Sequence, residues 1–456
     1  MQTSINYYIA PLDYNLFKNT KIFGSFIGEN FILFETKEYF CLASDFILEI
    51  YLKNGKFFCV SKRKEFRRFE SLNGAPFLIG LNKVLESTDI FQDRKLHPIT
   101  RSLLGYFGFN FVSLLEPKLL NILPVKDEDV FLALPSKILF FDHLLKKGFI
   151  VADDKSFACS FSKTINNFQK QKHTRYQIKD ISVFTPKEDF LKKVDKAKRY
   201  ISRGDIFQVV LSVRFYSSFF GDPFSVFEKL KAKNPSPYMF LLSLPNLTII
   251  GSSPETLVKC KDSVLEERPI AGTRPKPSKD HELRKVRDEL LSDPKERAEH
   301  VMLVDLSRND LGKVAEFGSV YVDKFMFLEE FSHVIHITSS VKAKLRNGMG
   351  VLDVLKATFP AGTVSGAPKI RAMEIIGELE DCPRGPYAGG VGWLGLDKDR
   401  INLDLAIIIR TLWIKDGIVM WQAGAGIVSD SDKEKEWNEC LKKAQVITET
   451  LTEGGK

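Results

Sequence analysis

Residues 296–311 read ERAEHVMLVDLSRNDL, and this stretch anchors the second half of the chain. Asp293 stands just before it at an N-cap position, where its side chain can accept hydrogen bonds from the first free N–H groups of a helix. Pro294 suits the first helical position, where a missing N–H costs nothing. The sequence therefore predicts a helix over about residues 294–306.

Carboxylates recur at a fixed spacing on this helix and on the last predicted helix, over about residues 434–450. Glu296 and Glu299 are three positions apart and share one helix face, and Glu436 and Glu439 repeat that spacing. Four inward-facing carboxylates would suit a hard cation such as Mg²⁺, which prefers oxygen ligands. An ordinary solvated acidic face gives the same pattern, so spacing alone leaves both interpretations open.

The rest of the chain divides into three regions by pattern. Residues 1–150 hold many short β-rich runs separated by turn residues and predict a sheet-rich N-terminal region. Residues 151–186 are polar and are interpreted as a connection, and residues 187–456 alternate helices with strands. The fold class is α+β, with the two larger regions packed as one unit. Further predicted elements are a helix over residues 186–204 and strands over residues 206–215, 239–244, 247–250, 407–412 and 418–422.

The composition excludes several classes of function. Hydrophobic residues make up 44% and charged residues 27% of the 456, as in globular proteins, and the net charge of +8 comes from scattered side chains, so no nucleic-acid partner is expected. Six cysteines without a C-x-x-C pair argue against disulfides or a thiolate zinc site. Without a signal-like N-terminus or a long apolar run, we expect a cytoplasmic protein with no membrane association.

Three stretches rich in small residues are predicted to be loops, at residues 269–275, 359–369 and 422–426. Gly and Ala let backbone N–H groups approach a ligand closely, and amides near a helix N-terminus favour an anion. Such stretches also mark ordinary turns. None of them matches a nucleotide-binding glycine motif, so nucleotide binding is not expected.

Acid–base chemistry has four isolated candidates, Glu255, His336, Tyr387 and Arg410. A single histidine is more often structural than catalytic. His336 lies in an alternating segment, of which only one face can point into a site. From the residues alone, the chain is expected to be an enzyme with anion-binding loops and a possible metal site.

Taken together, these segments resemble the family of chorismate-utilising enzymes. The resemblance covers about residues 201–444, and its motifs occur in the order found in that family. They are PIAGTR at residues 269–274, ERAEHVMLVDLSRNDL at residues 296–311, FPAGTVSGAPKIRAM at residues 359–373, YAGGVG at residues 387–392 and QAGAGIV at residues 422–428.

The resemblance implies an anthranilate synthase-like fold, with two packed α/β subdomains around a central β-sandwich and the active site between them. It also implies Mg²⁺ between the protein and the ring carboxylate of chorismate, with Glu299 and Glu439 as direct ligands. Glu296 and Glu436 would support the metal through waters or neighbouring contacts.

Family membership further implies roles for the substrate-binding and catalytic side chains. Glu255 matches the general acid that protonates the departing C4 hydroxyl, and His336 matches the histidine of the later elimination. Thr273 would line the ring beside the reacting carbons. The substrate-binding residues implied are Gly272, Thr273, Ser365, Tyr387, Arg410, Gly424, Ala425, Gly426 and Lys443.

Two positions favour one branch of the family. Relatives that activate water carry a lysine base where this chain has Gln208, and a neutral amide cannot deprotonate water. Many aminodeoxychorismate synthases carry a nucleophilic lysine where this chain has Ala271. Direct attack of ammonia at C2 is what remains, which gives anthranilate. The alternatives are an aminodeoxychorismate synthase lacking the lysine and a non-catalytic allosteric homologue.

The resemblance also implies partners and an effector. No glutaminase signature is present, so ammonia is expected from a separate glutaminase subunit in a hetero-oligomer. Tryptophan is expected as feedback inhibitor, although Phe34 and Thr36 depart from the family's N-terminal effector element. The same segments could simply pack the core around a turn. The implied tryptophan-binding residues are Glu35, Thr36, Asn234, Pro235, Ser236, Tyr238 and Met239.

Overall fold

The computed structural model describes residues 3–18, 26, 28–92, 95–164, 175–277, 279–330 and 334–453, without the side chains of residues 162–164, 273 and 280. Its strands, β1 to β24 in chain order, are Thr3–Asn6, Tyr8–Leu12, Phe31–Thr36, Tyr39–Lys53, Lys56–Ser61, Thr88–Phe91, Ser102–Phe107, Val130–Asp142, Lys147–Ala152, Gln177–Ile178, Ser182–Val183, Gln208–Phe220, Tyr238–Leu244, Leu247–Ser253, Thr256–Lys261, Val264–Glu267, Ile270–Pro275, Tyr321–Glu330, Val334–Lys344, Gly366–Ala367, Gly390–Gly395, Leu403–Ile407, Thr411–Lys415 and Ile418–Ile427. Its α-helices, α1 to α10, are Phe77–Ser87, Val112–Leu115, Lys155–Thr164, Lys187–Ser202, Pro223–Lys233, Asp280–Ser292, Pro294–Gly312, Val351–Thr358, Lys369–Leu379 and Lys433–Thr452.

Most of the described strands belong to two sheets. Sheet I runs β2–β9–β8–β4–β3–β13–β14–β23–β24–β12 in hydrogen-bonded order, with β20 and the short β10 and β11 also on β12. Sheet II runs β5–β4–β8–β7–β21–β22–β15–β16–β19, and β19 also pairs with β17 and β18. All of these pairings are antiparallel.

The long strands β4 and β8 belong to both sheets. Their mutual register slips between Phe46 and Leu48, next to Asp45 with its φ of 54°. A bulge of this kind bends a strand, so each of the two can leave one sheet and enter the other.

Side chains from the two sheets meet in a shared interior, as in a β-sandwich. The Tyr238 hydroxyl of β13 donates to Asp404 of β22 at 2.9 Å, and the Trp393 indole N–H of β21 donates to the Tyr39 hydroxyl of β4 at 3.0 Å. Strands such as β7 are buried at every residue, because both of their faces are covered. The α+β class and the anthranilate synthase-like fold expected from the sequence are confirmed.

Residues 1–150 and 187–456 contribute strands to both sheets. In sheet I, β3 pairs with β13, and in sheet II, β7 pairs with β21. Residues 151–186, expected to be a polar connection, contain helix α3 and the short strands β10 and β11. The N-terminal region therefore shares its backbone hydrogen bonds with the region that carries the motifs.

The helices that matter for the site lie at the outer ends of the two sheets. Helix α7 packs on β17 and β19, and α10 packs on β24. The Asp293 carboxylate accepts hydrogen bonds from the backbone N–H groups of Lys295 and Glu296 at 3.0 and 3.2 Å, so the predicted N-cap is confirmed. No helix in the described ranges is both long enough and apolar enough to cross a bilayer.

Two strand predictions near the site were wrong in their bounds. The predicted strand over residues 407–412 is broken, because Arg410 takes a left-handed φ of 52° between β22 and β23. The stretch at residues 422–426 is not a loop, since β24 continues through it to Ile427. The predicted loop at residues 269–275 likewise contains the whole of β17, with a bulge between Ala271 and Thr273.

Candidate active site

The predicted site residues converge where the ends of sheets I and II approach each other. Gln208, at the start of β12, donates its amide N–H to a Glu299 carboxylate oxygen of α7 at 3.4 Å. Lys295 of α7 forms an ion pair of 3.1 Å with Asp430, just before α10. These contacts bring the helix of residues 294–312 against the β12–β24 end of sheet I.

Two of the four predicted metal carboxylates, Glu299 and Glu436, have raised pKa values. Burial raises the pKa of Glu299, and the negative charges of Glu296 and Glu439 raise it further. Burial also raises the pKa of Glu436, again with a contribution from Glu439. Clustered carboxylates with raised pKa values indicate negative charge that the protein itself does not fully neutralise.

Two of these carboxylates already have cationic neighbours. Glu296 forms an ion pair with Arg274 at 2.9 Å, and Glu439 forms one with Lys443 at 2.6 Å. Across the described residues, no three His, Cys, Asp or Glu side chains are arranged as a ready set of metal ligands. The donor set of carboxylate oxygens fits Mg²⁺, but the ion would have to draw the side chains together.

His336 is held by the bulge of β17. Its ring Nδ1 lies 3.2 Å from the carbonyl oxygen of Gly272, whose φ is 62°. A Cβ at Gly272 would come within 3.0 Å of a Glu296 oxygen, so a side chain there would press on the carboxylate cluster. Burial lowers the pKa of His336, which keeps its imidazole neutral at neutral pH. The Thr273 side chain lies outside the described residues.

Glu255 is a buried acid between β14 and β15. Its side chain is 8% exposed, and its carbonyl accepts a hydrogen bond from the backbone N–H of Ile407 at 3.0 Å. Burial raises its pKa to about 7, although the nearby Thr363 hydroxyl and the cations Lys443 and Arg410 act in the opposite direction. A carboxyl with such a pKa still holds a proton near neutrality and can donate it.

Arg410 presents a guanidinium without a fixed partner. Its backbone is held by a hydrogen bond, in which the Ser252 N–H donates to the Arg410 carbonyl at 3.1 Å. Burial lowers the pKa of the guanidinium, partly offset by Tyr387, Glu255 and Glu439. Within the described part of the chain, the guanidinium makes no hydrogen bond or ion pair. A buried arginine of this kind is suited to a ligand carboxylate, to which it can donate two parallel hydrogen bonds.

The small residues of β24 include one that lies directly beside Tyr387. Gly424 lies beside Tyr387, because a Cβ on it would be 2.7 Å from the Tyr387 hydroxyl. The Gly424 carbonyl accepts a hydrogen bond from Lys443 Nζ at 3.0 Å. Only glycine therefore leaves room here for both the tyrosine and a ligand.

The backbone N–H groups of β24 alternate in direction. Val210 of β12 donates its N–H to Ser365, away from β24, so Gly426 opposite it also points its polar groups away from β12. Gly424 does the same, whereas Ala425 bonds to β12. Gly424 and Gly426 thus have N–H groups that point away from β12, whereas the Ala425 N–H points toward Leu211 of β12. Contact of these three residues with a substrate stays a prediction.

Ser365 has a structural role in the loop before β20. It is fully buried, and its hydroxyl donates to the carbonyl of Ala361 at 2.9 Å. Its carbonyl accepts the Val210 N–H. This serine shapes the loop behind Glu255 and does not present its hydroxyl to the site.

Arg384 is a residue that the sequence patterns missed. Its guanidinium is almost fully buried, pairs with Glu380 at 2.8 Å, and donates to the carbonyls of Val210 and Val364 at 2.7 Å. It also lies under the Tyr387 ring, 5.5 Å from its centre. The signal was a lone arginine in CPRGPY before the YAGGVG motif, which nothing local distinguishes from a surface residue.

The predicted effector residues are only partly brought together. Pairing of β3 with β13 sets Glu35 opposite Met239 and Thr36 opposite Tyr238. Asn234 instead donates its side-chain N–H to the Ser252 hydroxyl at 2.9 Å. Pro235 and Ser236 belong to the same turn.

Beside the β3–β13 pair lies a cavity of about 190 Å³, called here the effector cavity. Of the predicted effector residues, Thr36 and Tyr238 line it, together with Lys259 and Asp404. The Glu35 carboxylate forms an ion pair with Lys231 at 2.6 Å. Within the cavity, Lys259 forms ion pairs with Glu38 at 2.9 Å and with Asp404 at 3.6 Å, so a zwitterionic ligand would have to share these charges.

A buried carboxyl that holds its proton, a neutral imidazole and an unengaged guanidinium together define an enzyme site for a small anionic substrate. The family model described as chorismate binding enzyme matches residues 50–449. The chain belongs to this family, as its motifs indicated.

Similar proteins refine this assignment. Anthranilate synthase component 1 of Aquifex aeolicus is 42% identical over 389 residues, which cover 81% of this chain and 78% of that protein. The crystal structure of anthranilate synthase component I from Streptococcus pneumoniae has 34% identity and a TM-score of 0.76, covering 90% of this chain and 92% of that one. Aminodeoxychorismate synthase component 1 of Bacillus subtilis is 47% identical over a shorter 264 residues, 58% of this chain and 56% of that protein. The chain is therefore an enzyme most like anthranilate synthase component 1.

Proposed function

We propose that this chain converts chorismate and ammonia to anthranilate and pyruvate, the first step of tryptophan biosynthesis. The observation that carries the proposal is Glu255, a buried carboxyl with a pKa of about 7 on the same side of the site as the unengaged Arg410. Hydroxide is a poor leaving group, so replacing the C4 hydroxyl of chorismate needs such an acid.

The residues of this chain divide the proton transfers between them. Glu255 donates its proton to the C4 hydroxyl, which leaves as water while ammonia attacks C2. Arg410, Tyr387 and the Gly424 and Gly426 amides hold the substrate carboxylates. The amino group formed at C2 loses a proton to solvent. The neutral His336 then accepts the C2 proton as the C3–O bond breaks and the ring becomes aromatic, and the departing enolpyruvate takes up a proton to become pyruvate. Mg²⁺, when bound by Glu299 and Glu439, would supply positive charge opposite the ring carboxylate.

Two side chains support amination at C2 over related chemistry. The Gln208 side chain donates its amide N–H to Glu299, and a neutral amide cannot deprotonate water. Ala271 is buried on β17 and offers no nucleophile. The similarity to an aminodeoxychorismate synthase makes amination at C4 the second candidate, and the product distinguishes the two.

The product test uses purified chain, chorismate, Mg²⁺ and an ammonium salt at mildly alkaline pH. This pH supplies neutral ammonia while leaving part of Glu255 protonated. Fluorescence and chromatography should detect anthranilate, with pyruvate in equal amount. Recovery of 4-amino-4-deoxychorismate would instead assign the chain to the p-aminobenzoate branch, and no turnover of any kind would support a non-catalytic homologue.

Removal of Mg²⁺ should lower turnover reversibly, because the carboxylates of Glu299 and Glu439 repel both each other and an anionic substrate. Chelation followed by Mg²⁺ addition, monitored by anthranilate fluorescence, tests this. A Glu436→Gln variant should need about 10–100-fold more Mg²⁺ for half-maximal rate, since it supports the ligands without binding directly. Full turnover in thoroughly chelated enzyme would remove the metal assignment.

Tryptophan should bind in the effector cavity and weaken the apparent affinity for chorismate. Asp404 can receive the ammonium group and Lys259 the carboxylate, beside the Thr36–Tyr238 pair. Calorimetry with and without chorismate should show the same coupling factor in both directions. A Lys259→Met variant should lose tryptophan binding and keep turnover, whereas undetectable tryptophan binding to the unmodified chain would contradict the proposal.

The ammonia source is proposed to be a separate glutaminase subunit, which makes the working enzyme a hetero-oligomer. The support is the similarity to proteins named component 1, a name that implies a second component. Addition of a matching glutaminase should let glutamine replace ammonium as the nitrogen donor.

A further inference from the structure

Next to Glu255 lies a small, partly open cavity that the proposed reaction does not use. It has a volume of about 30 Å³, enough for one or two waters, and is called here the acid cavity. It lies between the loop before β20, helix α7 and strand β16. Its polar lining residues include Glu255, Glu267, Ser307, Asp310 and Thr363.

Glu267 is the unexplained residue of this cavity. Its side chain, at the end of β16, is 8% exposed, and its Oε1 atom is buried without a hydrogen-bond partner among the described residues. The Thr363 Oγ1 atom is also buried, and although it lies near the Glu255 carboxyl it makes no hydrogen bond of normal geometry among the described residues. Buried polar atoms beside a cavity that can hold water are the places where ordered water is found, because each would otherwise lose a hydrogen bond.

The charges that face Glu267 come from two helices. Asp310 of α7 lines the same cavity and is itself paired with Lys369 of α9 and with Lys313 at 2.9 Å. Burial and the Asp310 charge raise the pKa of Glu267 to about 8, while Lys369, the Ser307 hydroxyl and Lys313 act in the opposite direction. Two of the three acids that line the cavity, Glu267 and Glu255, thus hold protons near neutrality.

We propose that Glu267 is a proton relay residue, which returns a proton to Glu255 through water in the acid cavity after each turnover. Glu255 gives its proton to the C4 hydroxyl, which leaves as water, and becomes a carboxylate. The Glu267 carboxyl then releases its proton to a cavity water, which passes one on to Glu255. Glu267 is reprotonated from solvent, which also receives the proton that the new amino group loses, so protons balance over the cycle and no other reactant is needed.

This relay rests on the proposed function, because it assumes that Glu255 acts as the acid. It assigns Glu267 a positioning and supply role, since the residue does not touch the substrate. A structural role alone would make Glu267 contribute to stability without affecting the protonation of Glu255.

The kinetic test compares Glu267→Gln with Asp262→Asn, a control in the turn of the same hairpin whose exposed carboxylate pairs with Arg400. Glu267→Gln should lower kcat about tenfold or more with KM for chorismate unchanged, and should enlarge the solvent deuterium isotope effect, because proton return becomes slow. Small weak acids that enter the cavity should restore part of the rate. A kcat within about twofold of the unmodified enzyme, with the same pH profile, would overturn the relay.

Infrared difference spectroscopy makes the relay testable even if chorismate is not the substrate. At neutral pH, Glu267→Gln should remove one protonated-carboxyl band. The Glu255 band is identified as the one absent in Glu255→Gln, and its titration midpoint should shift in Glu267→Gln. Failure of the product test with these spectra as expected would reject the proposed reaction and keep the coupled pair. Two outcomes would reject the relay. Absence of a Glu267 protonated-carboxyl band would show that Glu267 is a carboxylate at neutral pH. A turnover rate that depends on K⁺ or NH₄⁺, with the dependence abolished in Glu267→Gln, would show that the cavity is a cation site.

Discussion

Replacing Glu255 by glutamine should lower kcat for chorismate by about 10²–10⁴-fold, the range in which a positioned acid contributes. Glutamine keeps the shape and hydrogen-bonding capacity of the side chain but cannot give a proton to the C4 hydroxyl. Because no buried charge is created, the free energy of unfolding should change little. Anthranilate fluorescence at saturating chorismate measures the rate, and urea unfolding checks the fold.

The pH dependence gives this prediction a second readout. The acid is active when protonated, and burial sets its pKa to about 7, so kcat of the unmodified enzyme should fall as pH rises above that region. Bound chorismate, a dianion, moves this fall to higher pH because it disfavours a further negative charge. The Glu255→Gln variant should lose that limb of the profile.

A matched control is Glu378→Gln, which removes a carboxylate from the outer part of α9, where it accepts a hydrogen bond from Tyr200 at 2.7 Å. It should leave both kcat and the pH profile unchanged. If Glu255→Gln retained more than about a tenth of the unmodified rate, the general acid would have to be another group.

Replacing Arg384 by methionine should destabilise the fold by about 3–5 kcal/mol, the range for removing one partner of a buried ion pair. The Arg384 and Glu380 side chains are 1% and 8% exposed. Loss of the guanidinium leaves the Glu380 carboxylate buried beside the Ser212 hydroxyl, which donates to it at 2.6 Å. Urea unfolding followed by circular dichroism measures the change.

The control for this prediction is the double variant Arg384→Met with Glu380→Gln. It should recover part of the lost stability, because the uncompensated charge is gone. Arg384→Lys should not recover it, since an ammonium cannot donate to the carboxylate and to the carbonyls of Val210 and Val364 together. A loss below about 1 kcal/mol in Arg384→Met would show that water replaces the guanidinium there.

The local sequence was sufficient for the elements whose signals lie within a few residues. Asp293 and Pro294 predicted the start of α7, because capping depends only on neighbouring residues, and the structure confirms it. The spacing of Glu296 and Glu299 likewise follows from helix geometry. The motifs identified the family from residues 201–444, and the match over residues 50–449 bears this out.

Pairing between strands that are distant in the sequence set the strand bounds that the local patterns predicted wrongly. The small residues at 422–426 suggested a loop, yet β12 pairs with them residue by residue and extends β24 to Ile427. The alternating apolar residues at 407–412 suggested one strand. The left-handed backbone of Arg410 instead separates β22, which pairs with β15, from β23, which pairs with β14. Strand bounds depend on the partner strand, which lies far away in the sequence.

The chemistry of the site was likewise set by the tertiary structure. The sequence by itself determined which side chains are available, Glu255, His336 and Arg410 among them. Only the folded chain determined that Glu255 keeps its proton and that the Arg410 guanidinium lacks a hydrogen-bond partner among the described residues, because both depend on every atom packed around a group. Arg384 and Glu267 carry no local signal for the same reason: their roles exist only where distant segments enclose them.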